Sequence, residues 1–319
     1  MPPLSEGFIR IRTGAIGLNF ADIFALTGLY SATPDGAFIP GLEFAGEVIA
    51  VGPGAQATEV PFTPGRRVMG VTRFGAYADH IDVSPNHCKA LPEEWQMTDG
   101  AAFAVQAATA WYALKNLGDA RPGQTVLVHS AAGGVGLAAL KICRALGLSA
   151  IGTVGSVSKK RFLEKEGFSP VIVRSRDFPE DLAAALAGAP LHLVLDAIGG
   201  EVFKASYAAL APTGRMVTFG AATFTPGKDR PRWLHTILQY LRRPRLDPLK
   251  MISENKSVMG FNLIWLWEEP GLFESLMAEI TAQSLGKPHV GHVFPFDSVF
   301  EAIETLRSGG SMGKVVLTI

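Results

Sequence analysis

The chain has 319 residues, 48% of them hydrophobic and 18% charged, a length that allows one large or two smaller domains and a composition that excludes a disordered chain. Lys plus Arg equals Asp plus Glu at 29 each, which argues against a general nucleic-acid binder, since such proteins need a basic footprint. Two cysteines, Cys88 and Cys143, are too few for a disulfide framework, and neither a charged-then-apolar leader nor a long apolar run is present, so a cytoplasmic location is expected.

Short strands punctuated by Gly and Pro are predicted at 8–12, 43–51, 67–71 and 76–83, as in a small β-barrel. An alanine-rich helix over 98–117 and the turn Asp119-Ala-Arg-Pro-Gly123 then introduce a different pattern. Strand 125–128 runs through a glycine turn into a helix over 135–146 that stops at Gly147, and strand 150–154 follows. Strands 170–173, 191–196 and 215–219 alternate with helices 180–187 and 201–210, which is doubly wound α/β order. After these come an amphipathic helix over 233–242, an apolar strand over 258–266, a helix over 296–306 and a strand over 314–319 that returns to the first domain. The fold class is therefore α/β, with a doubly wound Rossmann domain at 117–284 and a mostly-β domain at 1–116 and 285–319.

The turn Ser130-Ala-Ala-Gly133-Gly134-Val135-Gly136 carries the first functional signal. Small residues there let backbone N–H groups at the helix start approach an anion, with the helix dipole adding favourable potential, so a dinucleotide pyrophosphate is the expected ligand. The spacing departs from a strict G-x-G-x-x-G, and the strand–turn–helix–strand context is what strengthens it. NAD enzymes usually place an Asp or Glu about 20 residues further on. Here the segment 153–161 offers Ser156, Ser158, Lys159, Lys160 and Arg161, and the first carboxylate is Glu164. Either these cations meet a 2′-phosphate, which favours NADPH, or they open the next helix in solvent.

Several blocks together resemble the medium-chain dehydrogenase/reductase superfamily, in its zinc-independent quinone oxidoreductase (zeta-crystallin-like) branch. They are Gly17-Leu-Asn19-Phe-Ala-Asp22, Gly28-Leu-Tyr30, Pro40-Gly41-Leu42-Glu43-Phe-Ala-Gly46, the glycine turn, Asp196-Ala-Ile-Gly199-Gly200, Gly214-Arg-Met-Val-Thr-Phe-Gly220 and Gly313-Lys314-Val-Val-Leu317. The segment 246–263 is similar to a VAT-1-like subgroup. The resemblance implies that the mostly-β domain is GroES-like. It also implies one more β-hairpin before residue 6, so either the first domain exposes a sheet edge or the native start lies upstream. Zinc members of the superfamily have cysteine at the position of Asn19, histidine at that of Leu42, and a third ligand near Val105 or Gln106. This side-chain set does not suit zinc, and no metal is expected. The histidines His87, His289 and His292 have no convergent ligands in the sequence, and His129 reads as a packed core or turn residue.

Without a metal, a conjugated acceptor is the natural substrate, because hydride addition spreads charge onto a carbonyl oxygen that hydrogen-bond donors can stabilise. The expected reaction is NADPH-dependent reduction of quinones or α,β-unsaturated carbonyls. Asn19 and Tyr30 are the candidate catalytic residues, with a turn-forming role for Asn19 and a core-edge role for Tyr30 as alternatives. The family positions imply cofactor contacts at Asn19, Thr109, Gly133, Gly134, Val135, Thr153, Lys159, Gly220, Phe261, Leu263 and Lys314. Arg174 either pairs with the 2′-phosphate or is a solvated surface residue, whereas Glu43 and Asp22 read as buried and structural. The insert 228–245 is expected to cap the active-site cleft, with lipid contact or plain packing as alternatives, and stable membrane insertion is not expected. Relatives imply a homodimer joined near 257–267. A nucleotide-binding scaffold or sensor without turnover, and an enoyl-thioester reductase, are the competing functions.

Overall fold

The computed structural model describes residues 2–55, 62–224 and 233–319, with residues 233–236 described by their backbone alone. Two compact units emerge, Met1–Ala108 with Leu263–Ile319, and Thr109–Asn262.

The first unit begins with β1 (Ile9–Gly17), α1 (Phe20–Leu26), β2 (Glu43–Val51), β3 (Arg67–Val71), β4 (His80–Val83) and β5 (Cys88–Ala90). β1 outruns the predicted 8–12 because Ile9, Ile11, Ala15 and Ile16 stay buried, two register shifts keeping them on the core side. The expected exposed edge is absent at this strand. Arg10 is paired with Ala50 of β2 and Asp82 of β4, and its guanidinium donates to the Asp82 carboxylate at 2.7 Å. β4 is shorter than the predicted 76–83 because the N–H groups of Ala76 and Tyr77 donate instead to the Gly41 and Pro40 carbonyls in a loop.

The predicted helix over 98–117 is broken into α2 (Met97–Gly100), α3 (Ala104–Trp111) and a π-helical turn, Tyr112–Leu117. The break brings the Ala101 carbonyl against β1, where a Cβ on Gly17 would lie 2.0 Å from that oxygen. Only glycine fits there. α3 also carries the chain from one unit to the other, so the division falls at 108/109 rather than 116/117. The turn that follows packs on the second unit's own sheet, where a Cβ on Gly118 would meet Leu193 at 2.7 Å.

The second unit contains β6 (Thr125–Val128), α4 (Gly134–Ala145), β7 (Ser149–Val154), α5 (Val157–Lys165), β8 (Val171–Val173), α6 (Phe178–Leu186), β9 (Leu191–Asp196), α7 (Gly200–Ala209), β10 (Leu210–Thr218), α8 (Trp233–Leu241), α9 (Pro248–Glu254) and β11 (Ser257–Gly260). Its strands form a parallel sheet in the order β11-β10-β9-β6-β7-β8, so the direction of winding reverses between β6 and β9. Leu127, Ile151, Val194 and Met216 fill its core. The predicted strand over 258–266 is corrected: pairing with β10 ends at Gly260, and residues 263–266 are helical.

The chain then re-enters the first unit through α10 (Leu263–Leu266), α11 (Leu272–Thr281), β12 (Val290–Pro295), α12 (Val299–Arg307) and β13 (Lys314–Thr318). β13 pairs antiparallel with β1, giving the order β12-β13-β1-β2-β3-β5 with β4 also on β1. α11 packs on the turn Pro85–His87, and His87 Nε2 lies 2.9 Å from the Trp267 carbonyl. These contacts draw 263–284 into the first unit, moving the second division to 262/263 from the expected 284/285. Cys88 and Cys143 are both buried, and burial pushes both thiols up, that of Cys143 to about 12. Among the described residues no helix is long and apolar enough to cross a membrane.

Asp22, in the first turn of α1, is 1% exposed and accepts from the Asn19 N–H at 2.8 Å and from the Tyr77 hydroxyl at 3.3 Å. Its other oxygen is buried with no partner among the described residues, and burial raises the carboxyl to about 7 from 3.8. A carboxyl raised on folding binds its proton more tightly in the native state, so its stabilising effect is complete below pH 3.8 and is lost as pH rises through about 7. Denaturant titrations should therefore show Asp22→Asn gaining on the parent between pH 5 and pH 8.5, by up to about 2–3 kcal/mol at about 1.4 kcal/mol per pKa unit. An offset that does not change with pH would contradict the raised carboxyl.

Candidate functional site

β6 enters the glycine turn fully buried, and Ser130 takes a left-handed backbone at φ 52°. Gly133 caps α4, its N–H donating to the Ser130 carbonyl at 2.9 Å. A Cβ on Gly136 would lie 2.5 Å from Ser130 O and Ala131 Cα, so the first helical turn rests directly on the strand end. The N–H groups of Gly134, Val135 and Gly136 have no intrahelical carbonyl to bond, and they present a positive end at the carboxyl edge of the sheet. That arrangement suits a pyrophosphate.

The next two strand ends carry cations. Ser156 caps α5, its hydroxyl accepting from the Lys159 N–H at 3.4 Å. Arg174 follows β8 directly, its N–H bonded to the Val154 carbonyl at 2.9 Å, and its guanidinium donates to Thr153 Oγ1 at 2.9 Å. Gly155 lies beside it, and a Cβ there would meet Nη2 only in ordinary contact at 3.6 Å. Burial, and then the Arg174 charge, hold the Lys159 ammonium below its ordinary value; burial also lowers Arg174, against the pull of Asp196. Arg174 is therefore not the solvated surface residue offered as an alternative, because its guanidinium is half-buried and anchored. Thr153, expected among the cofactor contacts, is wholly buried, its hydroxyl shared by Arg174 and His129.

At the end of β9 the Asp196 carboxylate accepts from the N–H groups of Ile198 at 3.0 Å and Gly199 at 3.1 Å, and burial raises it while those donors lower it. Gly220, just past β10, approaches Ala197 so closely that a Cβ would lie 3.0 Å from its carbonyl oxygen. A cavity of about 260 Å³ opens there, walled by Asp196, Gly220 and Thr223 on one side and by Gln239, Arg243 and Leu246 on the other. The later half of the insert thus lines a cavity beside Gly220, whereas residues 228–232 lie outside the described residues. Phe261, another expected cofactor contact, has its ring 5.0 Å from Tyr112 and 5.8 Å from Phe219. Thr109 is buried on α3.

In the first unit two of the three positions matched to zinc ligands, Asn19 and Gln106, meet, and they do so around Glu43 and Lys314. Gln106 Nε2 donates to Asn19 Oδ1 at 2.7 Å and to Glu43 Oε1 at 3.1 Å. Lys314 Nζ donates to Asn19 Oδ1 at 2.9 Å and is ion-paired with Glu43, and Glu43 Oε2 accepts from the Val105 N–H at 3.1 Å. All of these side chains are buried; burial lowers the Lys314 ammonium, with Glu43 opposing. The groups that meet here are two amides, a carboxylate and an ammonium, and among the described residues no three His, Cys, Asp or Glu are placed so that they could hold a metal ion.

This cluster corrects two expectations. Asn19 Nδ2 donates to the Gly17 carbonyl at 3.2 Å and to Glu43 at 3.0 Å, and its Oδ1 accepts two bonds, so the amide has no spare proton for a substrate oxyanion. Lys314 directs its ammonium into the same cluster, and Leu263, 7% exposed, belongs to the start of α10. Tyr30 is half-buried, with its ring edge-on to Phe74 at 6.5 Å. Sequence reasoning missed Tyr77, Gln106 and Ser206 as polar partners; for Ser206, a hydroxyl on the inner face of a helix, the only available signal is helical spacing.

Residues 5–115 match the alcohol dehydrogenase GroES-like domain family, and residues 134–269 match the zinc-binding dehydrogenase family. The human synaptic vesicle membrane protein VAT-1 homolog is 32% identical over 99% of this chain and 80% of its own length. The quinone oxidoreductase of Thermus thermophilus, solved alone and with NADPH, superposes with a TM-score of 0.81 at 32% identity, covering 100% of this chain and 93% of that one. CurK enoyl reductase gives a TM-score of 0.82 at 27% identity, over 100% of this chain and 92% of its own. With a Rossmann sheet, a GroES-like unit and these relatives, the chain belongs to the medium-chain dehydrogenase/reductase superfamily, in its quinone-oxidoreductase-like VAT-1 branch.

Proposed function

We propose that this oxidoreductase is zinc-independent and reduces quinones or α,β-unsaturated carbonyls with NADPH. One observation carries the nucleotide: an open helix N-terminus at Gly134–Gly136 stands on the same sheet as two half-buried cations, Lys159 and Arg174, with no carboxylate between residues 153 and 163. The first feature suits a pyrophosphate and the second a dianionic 2′-phosphate. The NADPH complex of the Thermus relative supports the same reading.

NADPH, when bound, supplies the hydride from its nicotinamide C4. Gly134 and Val135 would offer backbone donors to its pyrophosphate while Gly133 caps the helix, Arg174 and Lys159 would pair with the 2′-phosphate, and Gly220 leaves space beside the cavity lined by the later half of the insert. Lys314 and Glu43 act by holding Asn19 rather than by touching the reacting atoms. We assign the hydrogen bond to the carbonyl oxygen to Tyr30, half-buried against Phe74, with the final proton coming from solvent. β11, an edge of the parallel sheet among the described residues, is the surface proposed to join two copies in a homodimer.

Two other readings each rest on an observation. The likeness to CurK enoyl reductase favours an enoyl thioester, itself a conjugated carbonyl. The fully engaged Asn19 amide removes one expected donor and favours a nucleotide-binding scaffold. A panel of a quinone, a small enone and an enoyl thioester, followed by loss of NADPH absorbance, separates them. Turnover confined to the thioester would select the second reading, and tight NADPH binding without turnover of any class would select the third.

Removing a charge-assisted contact costs about 1.5–3 kcal/mol. Arg174→Ala should therefore lower the NADPH over NADH preference in kcat/KM by about ten- to a hundredfold. Tyr30→Phe should lower kcat by a similar factor of about ten or more while NADPH affinity by calorimetry stays within about twofold. An unchanged kcat would remove Tyr30 from the mechanism.

A further inference from the structure

Beneath the two strand-end cations lies a buried chain of polar side chains that the reading above does not use. His129 is 2% exposed, with Nδ1 at 2.8 Å from Thr153 Oγ1 and Nε2 at 2.8 Å from Ser206 Oγ. Ser206 is fully buried on α7, and its hydroxyl lies 2.8 Å from the Val202 carbonyl one helical turn back. Thr153 Oγ1 also accepts from Arg174 Nη1 at 2.9 Å.

The proton positions follow from counting donors and acceptors. Arg174 can only donate, so the Thr153 hydroxyl proton needs another acceptor, and His129 Nδ1 is within reach. The imidazole proton then sits on Nε2 and goes to Ser206, whose own proton goes to the Val202 carbonyl. Every proton in the chain finds an acceptor. In the opposite tautomer His129 Nδ1–H would point at Thr153, and the threonine proton would face two donors. Burial keeps the ring uncharged, lowering its pKa to about 3, so it accepts at one nitrogen and donates at the other throughout the ordinary pH range.

We infer that His129, oriented by Ser206, is a positioning residue that fixes Arg174 through the Thr153 hydroxyl and thereby sets discrimination for the nucleotide's 2′-phosphate. An arginine side chain carries about 2 kcal/mol of rotamer freedom, and an anchor at one end of the fork leaves the other nitrogens aimed at a single place. The anchor sits on the turn as well, because the Thr153 carbonyl accepts from the Ala131 N–H at 3.0 Å. Pyrophosphate and 2′-phosphate contacts are thus registered to one residue. The inference rests on the NADPH reading proposed above.

Its test is a cycle of variants in the full chain, with NADPH and NADH affinities measured by calorimetry. Ser206→Ala leaves the Nε2 proton without its acceptor and favours the other tautomer; His129→Phe removes the Nδ1 acceptor while keeping a ring beside Phe178, and serves if the first variant fails to fold. Either should lower the ratio of NADPH to NADH affinity by about five- to tenfold, the value of one ordinary hydrogen bond, with NADH affinity unchanged. Neither should lower it further in an Arg174→Ala background. If both leave the ratio intact while Arg174→Ala lowers it, the positioning role is overturned and the nucleotide reading stands. If they lower it equally with and without Arg174, their effect is general loosening and the inference again fails. If Arg174→Ala itself leaves the ratio unchanged, the 2′-phosphate assignment falls and this inference with it.

Discussion

A single buried carboxylate organises the first unit. Glu43 begins β2 and is wholly inaccessible, yet it receives the Lys314 ammonium from β13, the amides of Asn19 and Gln106, and the Val105 N–H at the start of α3. Three other stretches of chain, at residue 19, residues 105–106 and residue 314, are therefore tied to one charge. An unpaired charge at such depth costs several kcal/mol, and breaking a buried pair by removing one partner typically costs about 3–5 kcal/mol. The close approach of the Ala101 carbonyl to Gly17 brings α2 and α3 near enough for the cluster to close. Asn19, at the head of α1, is held on every hydrogen-bonding edge as a result.

The second unit is organised on a different principle, by packing of backbone on backbone. Gly136 and Gly220 each lie where a methyl group would press on a neighbouring main chain, and both stand at carboxyl ends of parallel strands. The strands open their carboxyl ends between β6 and β9, where the winding reverses, so ligand chemistry gathers at that edge. Polar side chains there mostly orient other groups. Asp196 accepts from the turn after β9, and Thr153 holds Arg174.

Much of this was legible in the sequence, for reasons that can be named. The strand, glycine turn and helix at 125–146 are specified locally, by β-branched residues, missing side chains and helical spacing in succession, and they stand where expected. The alternation that follows is equally local. What failed depended on distant partners. A short apolar run such as 258–266 does not distinguish strand from helix by periodicity, and here pairing with β10 claims only its first residues. The helix over 98–117 breaks because β1 and Gly17 press on it from far away in the chain. The hydrogen bonding of Asn19 was not legible, since nothing near residue 19 reveals that Gln106 and Lys314 converge on its oxygen. The Ser206 hydroxyl has only helical spacing to mark it, because its partner His129 lies far away in the chain.

The two cysteines gain a meaning from the chemistry proposed. Quinones and enones are electrophiles that alkylate thiolates, and an enzyme working on them is exposed to self-inactivation at any accessible sulfur. Cys88 is 4% exposed and Cys143 not at all, and burial holds both sulfurs protonated. The polypeptide thus presents no accessible thiolate to the compounds it is proposed to reduce.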